Sequence, residues 1–423
     1  MANSFSKEER VAFENLLEGF QDALVLSRNV SIYNTDQTMM ERTNNTIWRP
    51  QPYIAKSYSG TDMTANFTDY IQLAVPATIG YNQSVPWIMT ATELRDALQE
   101  QRLGDAAKQK LASDINVAVL NVASSQGTLV VKRLSAATGF DDVAQCEAIF
   151  NEQGVNDFDR YLALSTRDYN GMANNLAGRQ TVSGKVQTAY ERAFVGQIAS
   201  FGTYKLDYAN RIAAAAPAAP VTIDTRDSAG NYQIPKAVTS SPTTAERLNV
   251  DNRYQTVTVS STTGVAAGDC FTIAGVNAVH HITKGDTGQL KTFRVISVTN
   301  STQMVISPGI VSNQVASAAS AEYQNCVVNT KASNSAIVFL NTAAAPINCF
   351  WQKDAIEILP GRYAVPADAG ANVMRASTDQ GIELVMQKQY DINTMKTRYR
   401  LDTLFGVVNK QPEMTGIILF GQV

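Results

Sequence analysis

Ala213-Ala-Ala-Ala-Pro217-Ala-Ala-Pro220 divides this chain of 423 residues into unlike parts. Proline fixes φ and has no amide to donate, so two prolines within four residues read as a stiff hinge, not as helix or central strand. Beyond the run, as far as about Asn341, the chain is rich in Thr, Ser and Val. Strand candidates there are Tyr254 to Ser260, Cys270 to Ile273, Thr292 to Val298, Gln303 to Ser307 and Ala336 to Leu340. Gly264, Gly268, Gly275 and Asn300-Ser301 punctuate them. Evenly spaced short strands with turn signals predict a small barrel or sandwich. On either side the character is mixed α and β. A β module set into an α+β frame fits a building block with an added lobe better than a catalyst.

Outward toward the N-terminus, Ser6-Lys-Glu-Glu9 has the form of a capping box. Val11, Phe13, Leu16, Leu17, Phe20, Leu24 and Leu26 follow at helical spacing and predict an amphipathic arm helix. Residues 29–45 read as irregular and extended. Residues 46–86 hold aromatic residues and prolines that predict strands with turns or a long hairpin-like loop, with one strand over Tyr70 to Val75. Thr90-Ala-Thr-Glu93 is a second capping box, and the pattern from Leu94 to Val122 predicts a helix of about 35 residues, about 50 Å long, that stops at Gly127. Helices are expected over Asp141 to Phe150, Asp168 to Leu176 and Gln187 to Gln197, and a buried strand over Arg160 to Ser165. Past Phe350, strands are expected over Ala355 to Leu359, Gly381 to Tyr390, Thr397 to Val408 and Thr415 to Phe420, each with one buried and one solvated face.

Charged residues make up 17% of the chain and the net charge is −3, which excludes the basic stripe that phosphate binding requires. No signal peptide and no stretch long enough to span a membrane is read from the sequence. The four cysteines are widely spaced, with no Cys-x-x-Cys pair, and are expected to be reduced and buried. Only two histidines are present, His280 and His281, side by side in a glycine-bearing loop of the β module. Base, triad and zinc chemistries lean on histidine, so the chain has little to offer them.

The remaining motifs read as ordinary structure. Gly178 to Lys185 resembles a phosphate loop but has one residue too many, with Val186 where a hydroxyl should ligate magnesium. Asp141-Asp142 fits a helix N-terminus and Asp157-Phe-Asp159 a turn, in preference to a metal pair. His280-His281 reads as a solvated loop pair, and Ser183 near Lys185 as coincidence. The aromatic residues around Trp48 have only Arg49 and Lys56 as neighbouring cations, which favours packing or subunit contact over base stacking.

Asn45-Thr-Ile-Trp48-Arg-Pro50 resembles a motif of P22-like phage coat proteins of short-tailed phages. Asn249-Val-Asp-Asn-Arg253, Thr256-Val-Thr-Val259, Thr262-Thr-Gly264, the Phe271 to Val276 stretch and Asn348-Cys-Phe-Trp351 are similar to the same family in order and spacing. The resemblance implies an α+β, Hong-Kong-97-type phage capsid fold with an inserted immunoglobulin-like or telokin-like β-barrel domain. It divides the chain into an arm (1–45), an E-loop with peripheral strands (46–86), a spine helix (87–125), a peripheral and axial region (126–220), the insertion (221–342) and an axial region with C-terminal strands (343–423).

What this implies for function is a non-enzymatic major capsid protein with no cofactor and no metal. It would assemble with copies of itself, as hexamers and pentamers, into an icosahedral procapsid with scaffolding and portal proteins. The shell would then mature and enclose double-stranded DNA without binding it specifically. Assembly would take place in the host cytoplasm and the product would be the virion shell, with no membrane involved. Candidate inter-subunit contacts are Trp48, Arg49, Asp224, Arg226, Asp227, Asp251 and Arg253; residues 228–248 depart from the family pattern. No self-crosslinking motif is expected. Two rival readings are a carboxylate-based hydrolase using Asp157, Asp159 and Glu152, and a phage adhesin or tail protein, against which the long helix argues.

Overall fold

Thr90 and Glu93 cap each other as their spacing predicts. The Thr90 amide donates to the Glu93 carboxylate at 2.8 Å, and the Glu93 amide donates to the Thr90 hydroxyl at 3.4 Å. The helix assigned beyond them runs over Ala97–Gln126, 30 residues or about 45 Å, shorter than expected. Ala107, Leu111, Ile115, Ala118, Val119 and Val122 form its buried face. It stops where Gly127 donates its amide to the Ala123 carbonyl at 3.1 Å. Thr90→Ala removes the cap hydroxyl and is expected to cost about 1 kcal/mol, read from urea unfolding.

This computed structural model describes residues 10–11, 13–17, 25–33, 46–52, 55, 57–64, 66–67, 73–90, 92–93, 97–179, 197–206, 208–223, 238–240, 247–249, 251–312, 323–328, 335–364 and 372–423. They form an α+β chain in two compact units: Met1–Ile47 with Ala77–Leu120 and Ile356–Val408, and Trp48–Pro76 with Asn121–Ala355 and Asn409–Val423. Among the described residues no helix is long and apolar enough to cross a membrane.

In the first unit a six-stranded sheet joins Ser31–Ile32, Ile356–Pro360, Lys396–Asn409, Glu383–Asp391 and Asn372–Ser377 in that order, with Tyr81–Thr90 also paired to Lys396–Asn409. Cross-strand partners stack: Tyr81 on Phe405 at 5.1 Å and Trp87 on Tyr399 at 5.4 Å. Each such pair adds about 0.5–1.5 kcal/mol beyond its buried area. Of the arm helix, Phe13 and Leu16 are buried, but Val11 is 48% exposed and does not join the apolar face. The box at Ser6 and the positions Phe20 and Leu24 lie outside the described residues.

In the second unit a mixed sheet runs Leu129–Lys132, Thr415–Leu419, Asn348–Gln352, Arg160–Ser165, Phe201–Leu206, Gln197–Ile198. Helices Phe140–Gln153 and Thr166–Arg179 contribute to the core around Phe150, Leu162, Phe201 and Phe350. The buried Asp142, more than the exposed Asp141, serves the helix start: it accepts the Thr138 and Gly139 amides at 2.7 and 3.2 Å and Arg133 Nε at 2.6 Å. The strands Ile356–Pro360 and Thr415–Leu419 are buried throughout, so the solvated face expected over Ala355 to Leu359 and Thr415 to Phe420 is missing. Both of their faces are covered, as in the buried strands of a sheet packed on two sides. Residues 187–196 of the expected helix lie outside the described residues, and Gln197 belongs to a strand.

The β module is a ring. Thr222–Ile223, Ser335–Phe339, Cys270–Val279, Asp286–Asn300, Gln303–Ser307 and Gln255–Thr258 pair in sequence, and the bridge of Ile223 to Val259 closes the circle. Phe271, Phe293, Val295, Met304 and Ile306 fill it. The Ala/Pro run is not a free hinge. Ala215 donates its amide to the Asn341 carbonyl at 2.8 Å and Ala218 to the Thr263 carbonyl at 3.0 Å. The fully buried Asn341 donates Nδ2 to the Ala213 carbonyl at 3.0 Å and to Asp269 at 2.9 Å, and its Oδ1 accepts the Cys270 amide at 3.0 Å. The run is therefore strapped to the barrel. The chain enters and leaves through a short ribbon, Arg211–Ile212 against Ala345–Pro346. All four cysteines are free and buried.

Candidate assembly surfaces

The rival hydrolase residues do not converge. Asp157 is paired with Arg160 at 2.8 Å and its side chain is 73% exposed. Asp159 sits at φ 53 in the following turn, and Glu152 is exposed on its helix. Arg160 itself is 1% exposed. It donates to the carbonyls of Asn156 and Val155 and to Asn151 Oδ1, at 2.8, 2.6 and 2.9 Å, and lies 5.3 Å over the Phe150 ring. This is a guanidinium organising a loop from inside. Among the described residues there is no cluster of three or more His, Cys, Asp or Glu able to hold a metal. Ser183 and Lys185 lie outside them.

The histidine pair is not the solvated loop that its sequence suggests. The loop turns between two barrel strands, and the His280 ring lies over Gly154, where an added Cβ would come within 2.6 Å of it. His280 Nδ1 accepts the amides of Ile282 and Thr283, each at 3.2 Å. The His281 amide donates to the Gln153 carbonyl at 3.0 Å. Burial pushes the His281 pKa below its usual value, with Glu413 opposing. Loop residues that pack onto another element lose water, and spacing alone could not reveal that.

Trp48 and Arg49 are half-buried in the strand Thr46–Pro50, which pairs with Ala74–Thr78. In the loop that these strands carry, Tyr58 is 44% and Phe67 85% exposed. Asp224, Arg226 and Asp227 lie outside the described residues. Asp251 and Arg253 pair with each other at 2.8 Å. Arg253 Nη1 also donates to the Asn409 carbonyl at 2.7 Å, and its guanidinium lies 5.0 Å over the Tyr254 ring. With its side chain only 7% exposed, Arg253 is occupied inside its own subunit.

Sequence reasoning missed one charged pair. Lys291, 3% exposed, forms an ion pair with Glu413, 122 residues away. Burial pushes the Glu413 pKa up, but Lys291 and His281 outweigh it and hold the carboxyl below its usual value. The one signal was Lys291 falling on the same parity as Phe293 and Val295 along a strand, where an apolar residue is expected. Nothing marked Glu413 as its partner. The pair stands beside a cavity of about 610 Å³ that Tyr254, His281 and Ile310 line from the barrel, and Gln352, Pro412 and Met414 from the sheet side.

The sequence matches the P22 coat protein family, gene protein 5, over residues 1–421. Among solved structures, the CUS-3 coat protein I-domain aligns at 37% identity over 29% of this chain and 96% of that chain, with a TM-score of 0.22. A structure of Mycobacterium phage Che8 aligns at 8% identity over 93% of this chain and 90% of that chain, with a TM-score of 0.45. A capsid structure of the cyanophage P-SCSP1u aligns at 10% identity over 93% and 86%, with a TM-score of 0.43. With the family match running from residue 1 to residue 421, the chain belongs to the P22 coat protein family.

Proposed function

We propose that this coat protein assembles around a scaffolding protein into a procapsid with a portal, in the host cytoplasm, and that the shell then matures around double-stranded DNA. Family membership makes it a structural major capsid protein of an icosahedral virion shell and not an enzyme, so the hydrolase and adhesin readings fall away. The observation that carries the reading is the match over residues 1–421. In this reading the subunit has the Hong-Kong-97-type layout. Its arm is residues 1–45, its E-loop 46–86, its spine 87–125, its barrel insertion 221–342, and its peripheral and axial parts 126–220 and 343–423.

The exposed loop carrying Tyr58 and Phe67 supports an E-loop that is ordered by a neighbouring copy. Extended segments recover their ordering entropy only when a partner covers them. Trp48 and Arg49, at the base of that loop, are proposed contact residues, together with Asp224, Arg226 and Asp227. Asp251 has 21% of its side chain exposed beside Arg253 and contributes more weakly. A net charge of −3 suits an inner wall that does not grip DNA.

The test is co-expression with a scaffolding protein, followed by negative-stain microscopy. Closed shells are expected; a monomer or trimer under all conditions overturns the reading. Trp48→Ala is expected to weaken the inter-subunit contact by about 2 kcal/mol, roughly 30-fold, as loss of a buried aromatic anchor does. Shell yield should then collapse at subunit concentrations where the parent assembles. A full yield of shells removes Trp48 from the interface.

A further inference from the structure

The second unit holds two hydrophobic cores that do not merge. One surrounds Phe150, Phe201 and Phe350; the other fills the barrel around Phe271, Phe293 and Ile306. Hydrogen bonds and an ion pair cross between them. Along the barrel strand Asp286–Asn300, Lys291 pairs with Glu413, and Thr292 Oγ1 donates to the Thr128 carbonyl at 2.7 Å. From the same strand, Arg294 Nη1 donates to the Gly127 carbonyl at 3.2 Å. The His281 amide reaches Gln153, and Arg253 reaches the Asn409 carbonyl. Beside these pins lies the cavity of about 610 Å³, walled from both sides. The cavity is a cleft open to solvent, and where it separates the two walls they make no dispersion contact across it. The covalent crossing is a single ribbon, Arg211–Ile212 against Ala345–Pro346, since the Ala/Pro run is strapped to the barrel itself.

We propose that this seam is a working joint: the barrel swings off the mixed sheet of the second unit as an intact body, hinged at the ribbon and latched by Lys291, Thr292 and Arg294. Opening costs neither core its contacts and returns Lys291 and Glu413 to water, where each charge is solvated. The latch sets the equilibrium. The subunit thereby has a second shape that it reaches without unfolding. This inference stands on the seam and is independent of which partners the shell recruits.

Cysteine accessibility tests it. Cys270 on the barrel and Cys349 on the sheet have no exposed surface, and the charge of Arg294 reaches both. Cys146 is sealed in the core under the helices. The full chain is exposed to a small thiol reagent under native conditions, and labelled peptides are quantified against time. Cys270 and Cys349 are expected to react together, at least ten-fold faster than Cys146. Glu413→Gln is expected to raise the rate of that pair about five-fold or more while Cys146 stays unchanged. Thr292→Val removes one uncharged pin, leaves the buried charges paired, and should give a smaller rise of the same kind. A common rate for all three thiols, or a parallel rise of all three in both variants, means that the seam opens only with global unfolding and overturns the proposal.

Discussion

Lys291→Met lowers the unfolding free energy of the subunit by about 2–3 kcal/mol, below the cost for a fully buried ion pair because the Glu413 side chain left behind is 19% exposed. Glu413 then remains in a site lined by protein with its chief cation gone. Adding Glu413→Leu should restore most of the loss, because a well-packed apolar pair of similar volume is often as stable as the buried ions it replaces. Equilibrium urea unfolding of the parent, the single variant and the double variant makes the comparison. A double variant as unstable as Lys291→Met shows that the damage lies in packing and not in the orphaned charge.

Acid provides an independent check. The Glu413 pKa is depressed in the folded state below its ordinary 4.5, so its contribution is present above about pH 4.5 and disappears as pH falls through the lower, folded value. His281 is also depressed, from an ordinary 6.5, because burial disfavours its charged form. In both cases the unfolded chain binds more protons across the window, so stability falls as pH drops below about 6.5. In Lys291→Met the Glu413 contribution is already gone. The gap between parent and variant should therefore be widest near pH 7 and narrow below pH 4.5. A gap that is flat with pH excludes the ion pair as its source.

The fold was legible in the sequence where local chemistry decides it. The Thr90–Glu93 box, the long apolar stripe behind it and the glycine stop at 127 are local signals, and all three formed. Gln303–Ser307 matches its expected bounds because Asn300-Ser301 fixes the turn before it. The short strands Leu129–Lys132 and Asn348–Gln352 were not foreseen as strands, since runs of three apolar residues, Leu129-Val-Val131 and Cys349-Phe-Trp351, carry no periodicity. Surface assignments were less legible still. Arg253 looked available to a neighbour, yet its donors meet Asp251 and the backbone of Asn409, a partner 156 residues away. The Lys291–Glu413 pair and the packed histidine loop depend on tertiary contacts of the same long range.

Gly264→Ala is the second large effect, and it bears on the Ala/Pro run that divides the chain. Gly264 has φ +83 and lies so close to that run that an added Cβ would come within 2.1 Å of the Ala216 carbonyl oxygen. The obstacle is backbone, held in place by the bonds from Ala215 to Asn341 and from Ala218 to Thr263, so it cannot yield as a flexible side chain would. The left-handed conformation costs alanine about 1–2 kcal/mol and the overlap about 1–3 more, giving an expected loss of about 2–5 kcal/mol. Gly268→Ala separates the two causes. Its φ is +96, but the nearest atom to an added Cβ is Arg294 Nη2 at 3.9 Å. Only the conformational cost of about 1–2 kcal/mol should appear there. Equal losses in the two variants would mean that the run moves aside freely, as an unstrapped hinge does. A larger loss at Gly264, accompanied by faster proteolysis within residues 213–220, assigns the run to the barrel and leaves the Arg211–Ile212 ribbon as the point about which the barrel turns.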